Sequence, residues 1–364
     1  MKDPPAGGFR SLGELESVAA RRVGEREWAY VQGGAEEERA LKANRAAFER
    51  RTLVPRLLTD VSSVQLASTL LGAEVRFPAF VAPTAHHEFL NPEAEVATAR
   101  AAGSSGVLAA FSTLSARSLE EIAEAAPRAP KWFQLYLQPE FSASRALVER
   151  AERARYRALV LTADMPVLAS RDALAEEEFD IYSKAALGNG PSVVPPTRAP
   201  VRAPSGYSLG APASATWSIV DDLISITRLP VVVKGVLSTA DAERAIARGA
   251  AGIVVSNHGG RQFDAAPAAL DMLGPVARSI GDRAEVYLDG GVRRGSDLLV
   301  ALASGARAVG IGRPVLWALA AGGEAGVMRY FDLLEREFAT AMALCGCRRI
   351  AEVDSTLLGP LRTG

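Results

Sequence analysis

The chain has 364 residues, enough for one large barrel or two medium domains. Its 41 basic and 42 acidic residues leave a net charge of -1, so nothing electrostatic points to nucleic acid or an anionic membrane as a partner. A hydrophobic content of 48% can fill a large core, but no apolar run reaches bilayer-spanning length and the opening MKDPPAGGFR lacks the stretch of a secretory signal; a cytoplasmic protein is expected.

From Ser11 to Val31 the positions Leu12, Leu15, Val18, Ala19, Val23 and Trp28 predict an amphipathic helix, ended by Gly33 and Gly34. Tyr30 lies at its end, where its hydroxyl can reach into a cleft, although taken alone a packing tyrosine reads as well. A second helix is expected over Glu36 to Arg50, with Leu41, Asn44 and Phe48 on one side. Residues 1–77 thus form an N-terminal helical segment that caps or braces the rest.

After Pro78 the rhythm changes. Short apolar runs, each ending in small or polar residues and each followed by an Ala/Glu/Arg-rich helical stretch, recur at the spacing of βα units. They are Ala79–Pro83, Val107–Phe111, Trp132–Tyr136, Ala158–Ala163, Val231–Lys234, Ile253–Ser256, Val286–Leu288 and Ala308–Ile311. Eight such units make an α/β fold of the (β/α)8 TIM-barrel type, expected over residues 78–345 within a single domain of 1–364. Between the fourth and fifth strands, Ala185 to Thr216 carries six prolines among many Gly, Ser and Ala; residues 172–216 are expected to be a lid inserted after strand four. A last helix is expected from Gly326 to Leu344, with Val327, Tyr330, Leu333, Leu334, Phe338 and Met342 mainly on a core face. Cys345 and Cys347 are too close for an ordinary disulfide and too few for a structural zinc, so two reduced thiols and no metal are expected.

The C-terminal ends of barrel strands converge on one mouth. There the sequence places Thr84 and Ala85, Ser112 and Thr113, Gln134 and Tyr136, Thr162 and Asp164, Lys234, His258 and Arg261, Asp289 to Gly291 with Arg293, and Gly312 with Arg313. That set is too polar for packing. Thr, Ser and Gln offer hydrogen bonds to a flat heteroaromatic ring, Lys234 a fixed positive charge, and the glycine-bearing loops of strands seven and eight a phosphate site, which together imply a bound mononucleotide. The densest signal is GIVVSNHGGRQFD, Gly252–Asp264: a buried strand ends at Asn257 and His258, and Arg261 follows with a planar fork suited to a carboxylate or phosphate. A base beside an anion clamp suggests an acidic substrate. Singly, each residue has a plainer use: His258 in a core, Arg261 or Arg313 in a surface pair, Asp289 as a helix cap.

VKGV at 233–236, SNHGGRQ at 256–262, LDGGVRRGSD at 288–297 and IGRPVLWALAAGGEAGV at 311–327 resemble the family of FMN-dependent L-2-hydroxy acid oxidases and dehydrogenases, which includes glycolate oxidase, lactate oxidase and mandelate dehydrogenase. GGAEEE, APTA, WFQLY and LTADMP extend the resemblance over nearly the whole chain. It implies FMN as cofactor and oxidation of a small-molecule L-2-hydroxy acid to the 2-oxo acid. His258 matches the family's catalytic base, and Asp164 the carboxylate that holds it, a pairing expected to raise the histidine's affinity for a proton. Arg171 and Arg261 match two arginines that grip the substrate carboxylate, Tyr30 a tyrosine donating to it, and Tyr136 the one near the substrate hydroxyl. Lys234 matches the lysine beside flavin N1 and O2. Pro83, Thr84, Ala85, Ser112, Gln134, Thr162 and Ser256 fall where the flavin ring and ribityl chain are held; Asp289, Gly291, Arg293, Gly312 and Arg313 fall around the ribityl tail and phosphate. Ala85 stands where some dehydrogenases of the family have glycine, which favours O2 as electron acceptor. The alternatives are a dehydrogenase serving a quinone or protein acceptor, and an FMN-binding barrel with a specialised biosynthetic substrate. Family members usually assemble as tetramers, which the resemblance implies here.

The chain also departs from the family's pattern. After Arg171 it reads RDALAEEEF in place of a charged pattern ending in Arg-Asn-x-Phe, and Ser170 replaces a frequent basic residue. At the first strand HHEFLNPEAE replaces an apolar stretch and His-Pro-x-Gly-Glu, and His86 and His87 are expected to face solvent. Leu114 stands where short-chain glycolate enzymes carry an aromatic residue, which widens the pocket towards an aryl or longer aliphatic acid.

Overall fold

The computed structural model describes residues 8–172, 186–190, 201–203, 206–208 and 214–362. Three helices come first: α1 (Leu15–Ala20), α2 (Glu25–Gln32) and α3 (Arg39–Arg50). The eight apolar runs then form parallel strands: β1 (Ala79–Val81), β2 (Leu108–Ser112), β3 (Lys131–Leu135), β4 (Leu159–Thr162), β5 (Val231–Val236), β6 (Gly252–Val255), β7 (Glu285–Asp289) and β8 (Ala308–Ile311). Each pairs with the next and β8 pairs with β1, closing the barrel. The helices that follow them are, in order, α4 (Ala94–Ser104), α5 (Leu119–Ala125), α6 (Phe141–Arg153), α7 (Ser218–Ile226), α8 (Thr239–Ala247), α9 (Ala269–Ile280), α10 (Gly295–Ala303) and α11 (Arg313–Leu344). The expected (β/α)8 barrel is the fold the chain adopts.

Side chains along a strand alternate between its faces. The inward set, including Phe80, Ala110, Trp132, Val160, Val232, Val254 and Tyr287, forms an apolar plug distinct from the larger core between strands and helices. Phe80, Trp132 and Tyr287 fill its middle, with ring centroids 5.3–5.8 Å apart. A hairpin of Ser68–Leu70 and Ala73–Val75 adds Leu70, Ala73 and Val75 to the same cluster. Two residues beyond six of these inward positions stand Ser112, Gln134, Thr162, Lys234, Ser256 and Asp289. The period of two therefore stacks a polar layer directly on the apolar plug at the C-terminal mouth.

The bracing helices differ from expectation in their ends. The helix predicted from Ser11 to Val31 is two, because the chain breaks between Arg21 and Gly24, and glycine costs a helix about 1 kcal/mol relative to alanine. α3 starts at Arg39 rather than Glu36: Glu36 and Glu38 hold φ of 44° and 65°, outside the helix. Its cap comes from a distant loop, where buried Asp264 accepts from the Ala40 N–H (3.0 Å) and Arg39 Nε (2.9 Å). The last helix begins at Arg313, immediately after β8, and is interrupted at Gly322 and Gly323, so the expected start at Gly326 falls just past the break.

Much of the expected lid lies outside the described residues: 173–185, 191–200, 204–205 and 209–213. Within it, Val201–Ala203 pairs antiparallel with Gly206–Ser208. Residues 186–190 are docked beside β2. The Gly188 N–H donates to Ser115 O (2.9 Å), and the buried Asn189 side chain donates to Thr113 O (2.9 Å) while accepting from the Leu119 N–H (3.0 Å). Among the described residues no helix is long and apolar enough to cross a membrane.

Candidate active site

The polar layer is internally hydrogen-bonded. Ser112 Oγ donates to Gln134 Oε1 (2.9 Å), and Gln134 Nε2 donates to Thr162 Oγ1 (2.9 Å), joining β2, β3 and β4. Across the mouth, Lys234 Nζ donates to Ser256 Oγ (3.1 Å) and lies 3.5 Å from Asp289 Oδ2, while Ser256 Oγ donates to Asp289 Oδ1. Burial alone would lower the Lys234 pKa, but Asp289 and Asp164 outweigh it and raise the value, so Lys234 is a buried, charged ammonium.

After β6 the chain turns through three successive left-handed residues, His258, Gly259 and Gly260. Glycine is required at 260, where a Cβ would stand 2.4 Å from the Leu41 backbone nitrogen in α3. Asn257 and Asn44 of α3 exchange side-chain hydrogen bonds of 2.7 and 3.0 Å, which fasten this turn to the N-terminal brace. His258 Nδ1 lies 3.1 Å from Asp164 Oδ1, just after β4. Asp164 fits there because its neighbour on β5 is Gly235, at φ 105°; a Cβ would come within 2.5 Å of the Asp164 Cβ. Gln262 Nε2 donates to the backbone oxygens of Asp164 (3.3 Å) and Val167 (2.9 Å), holding the two loops together.

The electrostatics of this pair depend on more than the pairing itself. Burial would raise the Asp164 pKa, but the charges of His258 and Lys234 hold it below the usual carboxylate value. An ionised Asp164 accepts, so Nδ1 of His258 carries the proton and Nε2 is left as the base. For His258, burial pushes the pKa down; Asp164 pulls up, but with Lys234 and Arg261 adding to burial the net direction is down. The pairing raises the histidine's proton affinity as expected, but burial, Lys234 and Arg261 together outweigh it, and the net shift is downward. It leaves a neutral imidazole at neutral pH, the form that can take a proton.

Arginines crowd the other side of the cleft. Arg261 Nη1 donates to Tyr30 O (2.9 Å) and Gly33 O (2.7 Å), and Arg313 donates to Val31 O (2.9 Å), Gly33 O (3.0 Å) and Gly259 O (2.9 Å). All but Gly259 O are at the end of α2, where cations are favoured. The guanidinium carbons of Arg261 and Arg171 lie 5.1 and 5.9 Å from the centre of the Tyr30 ring, and that of Arg293 lies 4.7 Å from the Trp317 ring. Burial, then Arg261, Arg293 and Arg171, push the Arg313 pKa well below its ordinary value. Such a concentration of buried and half-buried cations suits anions.

Of the predicted residues, Tyr30, Pro83, Thr84, Ala85, Ser112, Tyr136, Arg171, Lys234, His258, Arg261, Asp289, Gly291, Arg293, Gly312 and Arg313 line one open cleft of about 1100 Å³. Gln134, Thr162, Asp164 and Ser256 stand behind it, tied in by the hydrogen bonds above. Met165, Leu168 and Leu316 also line the cleft beside Leu114 and went unnoticed in the sequence, where apolar residues after a strand end look like ordinary packing. His86 and His87 do not face solvent: they are 2% and 1% exposed. A left-handed His86 (φ 59°) turns the chain inward, and the His87 ring meets half-buried Thr84 Oγ1 at 2.8 Å and buried Thr98 Oγ1 at 3.0 Å. Burial lowers the His87 pKa and keeps that ring neutral.

FMN fits these donors in kind. The Ser112–Gln134–Thr162 chain and Lys234 suit a ring edge of acceptors. Gly290 and Gly291, left-handed at φ 97° and 85°, with Arg293 and Arg313, suit a dianionic phosphate. The mouth thus defines a class: barrels that seat a phosphorylated aromatic cofactor beside a neutral proton acceptor. Residues 19–360 match the FMN-dependent dehydrogenase family, and the chain belongs to that family, with FMN as its cofactor. It is 43% identical over 355 residues to an L-lactate oxidase of Nostoc sp., covering 96% of this chain and 97% of that protein. It is 40% identical over 347 residues to 2-hydroxyacid oxidase 2 of Bos taurus, covering 95% and 97%. Among solved structures, mandelate oxidase with benzoyl-formic acid is similar at a TM-score of 0.87 and 38% identity, covering 98% of this chain and 99% of that one.

Proposed function

We propose that the protein oxidises an L-2-hydroxy acid to the 2-oxo acid and passes the two electrons to dioxygen, giving hydrogen peroxide. The observation that carries this is His258, its Nδ1 3.1 Å from Asp164 Oδ1, in a cleft whose far wall is Tyr30 with Arg171 and Arg261 over its ring. Arg171 and Arg261 hold the substrate carboxylate, and the Tyr30 hydroxyl donates to it. Tyr136 lies near the 2-hydroxyl, its backbone N–H fixed by Thr113 Oγ1 (3.0 Å). His258 Nε2 takes a proton from the substrate, and Asp164 stabilises the imidazolium that forms. Bound FMN supplies the two-electron acceptor. Pro83, Thr84, Ala85, Ser112, Gln134, Thr162 and Ser256 hold its ring and ribityl chain; Lys234 sets a positive charge beside it; Asp289, Gly291, Arg293, Gly312 and Arg313 hold its tail. The substrate gives up two electrons and two protons, which are those that convert O2 to H2O2.

The apolar wall of Leu114, Met165 and Leu168 receives the substrate's side chain and favours an aryl or longer aliphatic acid over glycolate. Ala85 and the oxidase names of the relatives support oxygen over a quinone or protein acceptor. For the homotetramer, exposed Leu57 and Leu58 (84% and 106%) offer apolar surface to another copy; a monomeric mass by light scattering would count against it.

Anaerobic mixing with L-lactate, glycolate, long-chain acids and mandelates, followed by flavin absorbance, tests the reading. One acid should bleach the flavin and air should restore the colour rapidly. H258Q should stay folded and yellow and should not bleach. Bleaching of H258Q at the wild-type rate would sink the assigned base, and a wild type that no acid bleaches would sink the reaction.

A further inference from the structure

The short turn after β1, His87–Phe89, makes contacts that none of the roles above uses. His86 enters it in a left-handed conformation, uncommon for a residue with a Cβ, and its imidazole is buried. That ring stacks on Phe89, with centroids 5.2 Å apart at 26°, and meets Tyr30 edge-on at 5.8 Å. Phe89 closes the triangle against Tyr30 at 5.7 Å and 89°. Tyr30 is thus contacted by two rings of this turn and, over its face, by the guanidinium groups of Arg171 and Arg261.

Glu88 continues the connection outward. Its Oε1 lies 3.4 Å from His86 Nδ1 and accepts from the Ala186 N–H at 3.2 Å. Ala186 opens the docked stretch 186–190, which Gly188 and Asn189 pin separately to β2 and its loop. One carboxylate therefore joins the insertion to the ring cluster around Tyr30. The other titratable groups at this turn have partners of their own: the neutral His87 ring meets Thr84 and Thr98, and Glu95 Oε1 accepts from the His87 backbone N–H (3.3 Å).

Resting on the assignment of Tyr30 to the substrate carboxylate, we propose that His86 and Glu88 are a positioning pair. They hold the Tyr30 ring against the anchored segment 186–190 and set the affinity for the substrate carboxylate rather than the rate of its oxidation. A ring fixed by Phe89 and His86 keeps its hydroxyl aimed; a ring freed on one edge binds the carboxylate at an entropic cost.

The test uses FMN-loaded protein and benzoyl-formic acid, the 2-oxo acid of the mandelate oxidase structure, as a non-reacting probe whose dissociation constant is read from the flavin spectrum. E88A and H86F should weaken binding by about tenfold and raise KM in parallel, with flavin reduction at saturating substrate within about twofold of wild type. E88Q keeps an acceptor for the Ala186 N–H and should recover most of the affinity. In a Y30F background H86F should add nothing, because the ring has no hydroxyl left to aim. Should E88A lose its flavin or melt early, H86F, which preserves the stack, carries the test. Unchanged binding in H86F, a loss confined to the saturated rate, or a full additional loss in Y30F overturns the pair. A wild type that binds no carboxylate and is bleached by no 2-hydroxy acid overturns the enzyme reading together with it; a wild type that does both beside unaffected variants overturns the pair alone.

Discussion

Replacing Asp164 by Asn keeps the side chain's shape and removes its charge, which isolates what the carboxylate does for His258. Asp164 Oδ1 is 3.1 Å from His258 Nδ1, close enough for a hydrogen bond that becomes charge-assisted when the imidazole is protonated. Such a bond contributes about 1.5–3 kcal/mol. With tenfold in rate for each 1.36 kcal/mol, flavin reduction in D164N should slow by about 10- to 150-fold. That is a lower bound, because an amide can offer its N–H₂ as readily as its oxygen and no longer obliges Nδ1 to carry the proton. The pH profile gives a second reading. As the proposed base, His258 works only when neutral, so the rate should rise as pH climbs through its pKa. Asp164 raises that pKa against burial, Lys234 and Arg261. Removing the charge must therefore move the acid limb of the profile to lower pH. Stopped-flow reduction between acidic and neutral pH measures both. A wild-type rate with an unmoved limb would refute the coupling, and complete loss of the limb would identify Asp164 itself as the base.

Lys234→Met should leave Asp289 buried without its cation, a cost of about 3–5 kcal/mol; the melting temperature should fall and FMN should wash out on gel filtration. Leu114→Trp should narrow the cleft and lower kcat/KM for a mandelate by about tenfold or more while sparing glycolate, as competition assays would show. Asp264→Ala removes the cap of α3 and should cost about 1–2 kcal/mol in urea unfolding. Burial would raise the Asp264 pKa, but Arg39 and the Ala40 N–H hold it below the ordinary carboxylate value. A carboxylate depressed in the folded state contributes fully above its unfolded pKa of about 4 and loses that contribution as pH falls further. The gap between wild type and D264A should therefore close in acid, and a gap that widens would contradict the capping role.

The strand ends were legible because one local rule, side-chain alternation, governs both the plug and the layer above it. Val232 followed two residues later by Lys234, or Tyr287 by Asp289, announces an inward polar residue wherever the strand itself is recognised. The turn at His258 was legible for a different reason: two consecutive glycines at a strand end mark a left-handed backbone or a close approach that residues with a Cβ rarely allow. What escaped depends on partners remote in sequence. The start of α3 is decided by Asp264, and the rings of His86 and His87 are drawn inward by Tyr30, Phe89 and Thr98. The direction of the His258 shift belongs in part to Lys234, from another strand.

These remote partners share a location, which explains why they matter to the site. Asn44 on Asn257, Asp264 on Ala40, and Arg261 and Arg313 on the last turn of α2 all join the N-terminal helices to the loop after β6 or to the start of α11. The barrel can form its polar layer from strand pairing alone. Tyr30 rides on α2, whose terminal carbonyls those arginines bind. The brace is therefore the element that completes the anion-binding wall. Loosening it at Asn44 should release the turn that carries both His258 and Arg261, and so weaken carboxylate binding together with the His258–Asp164 contact.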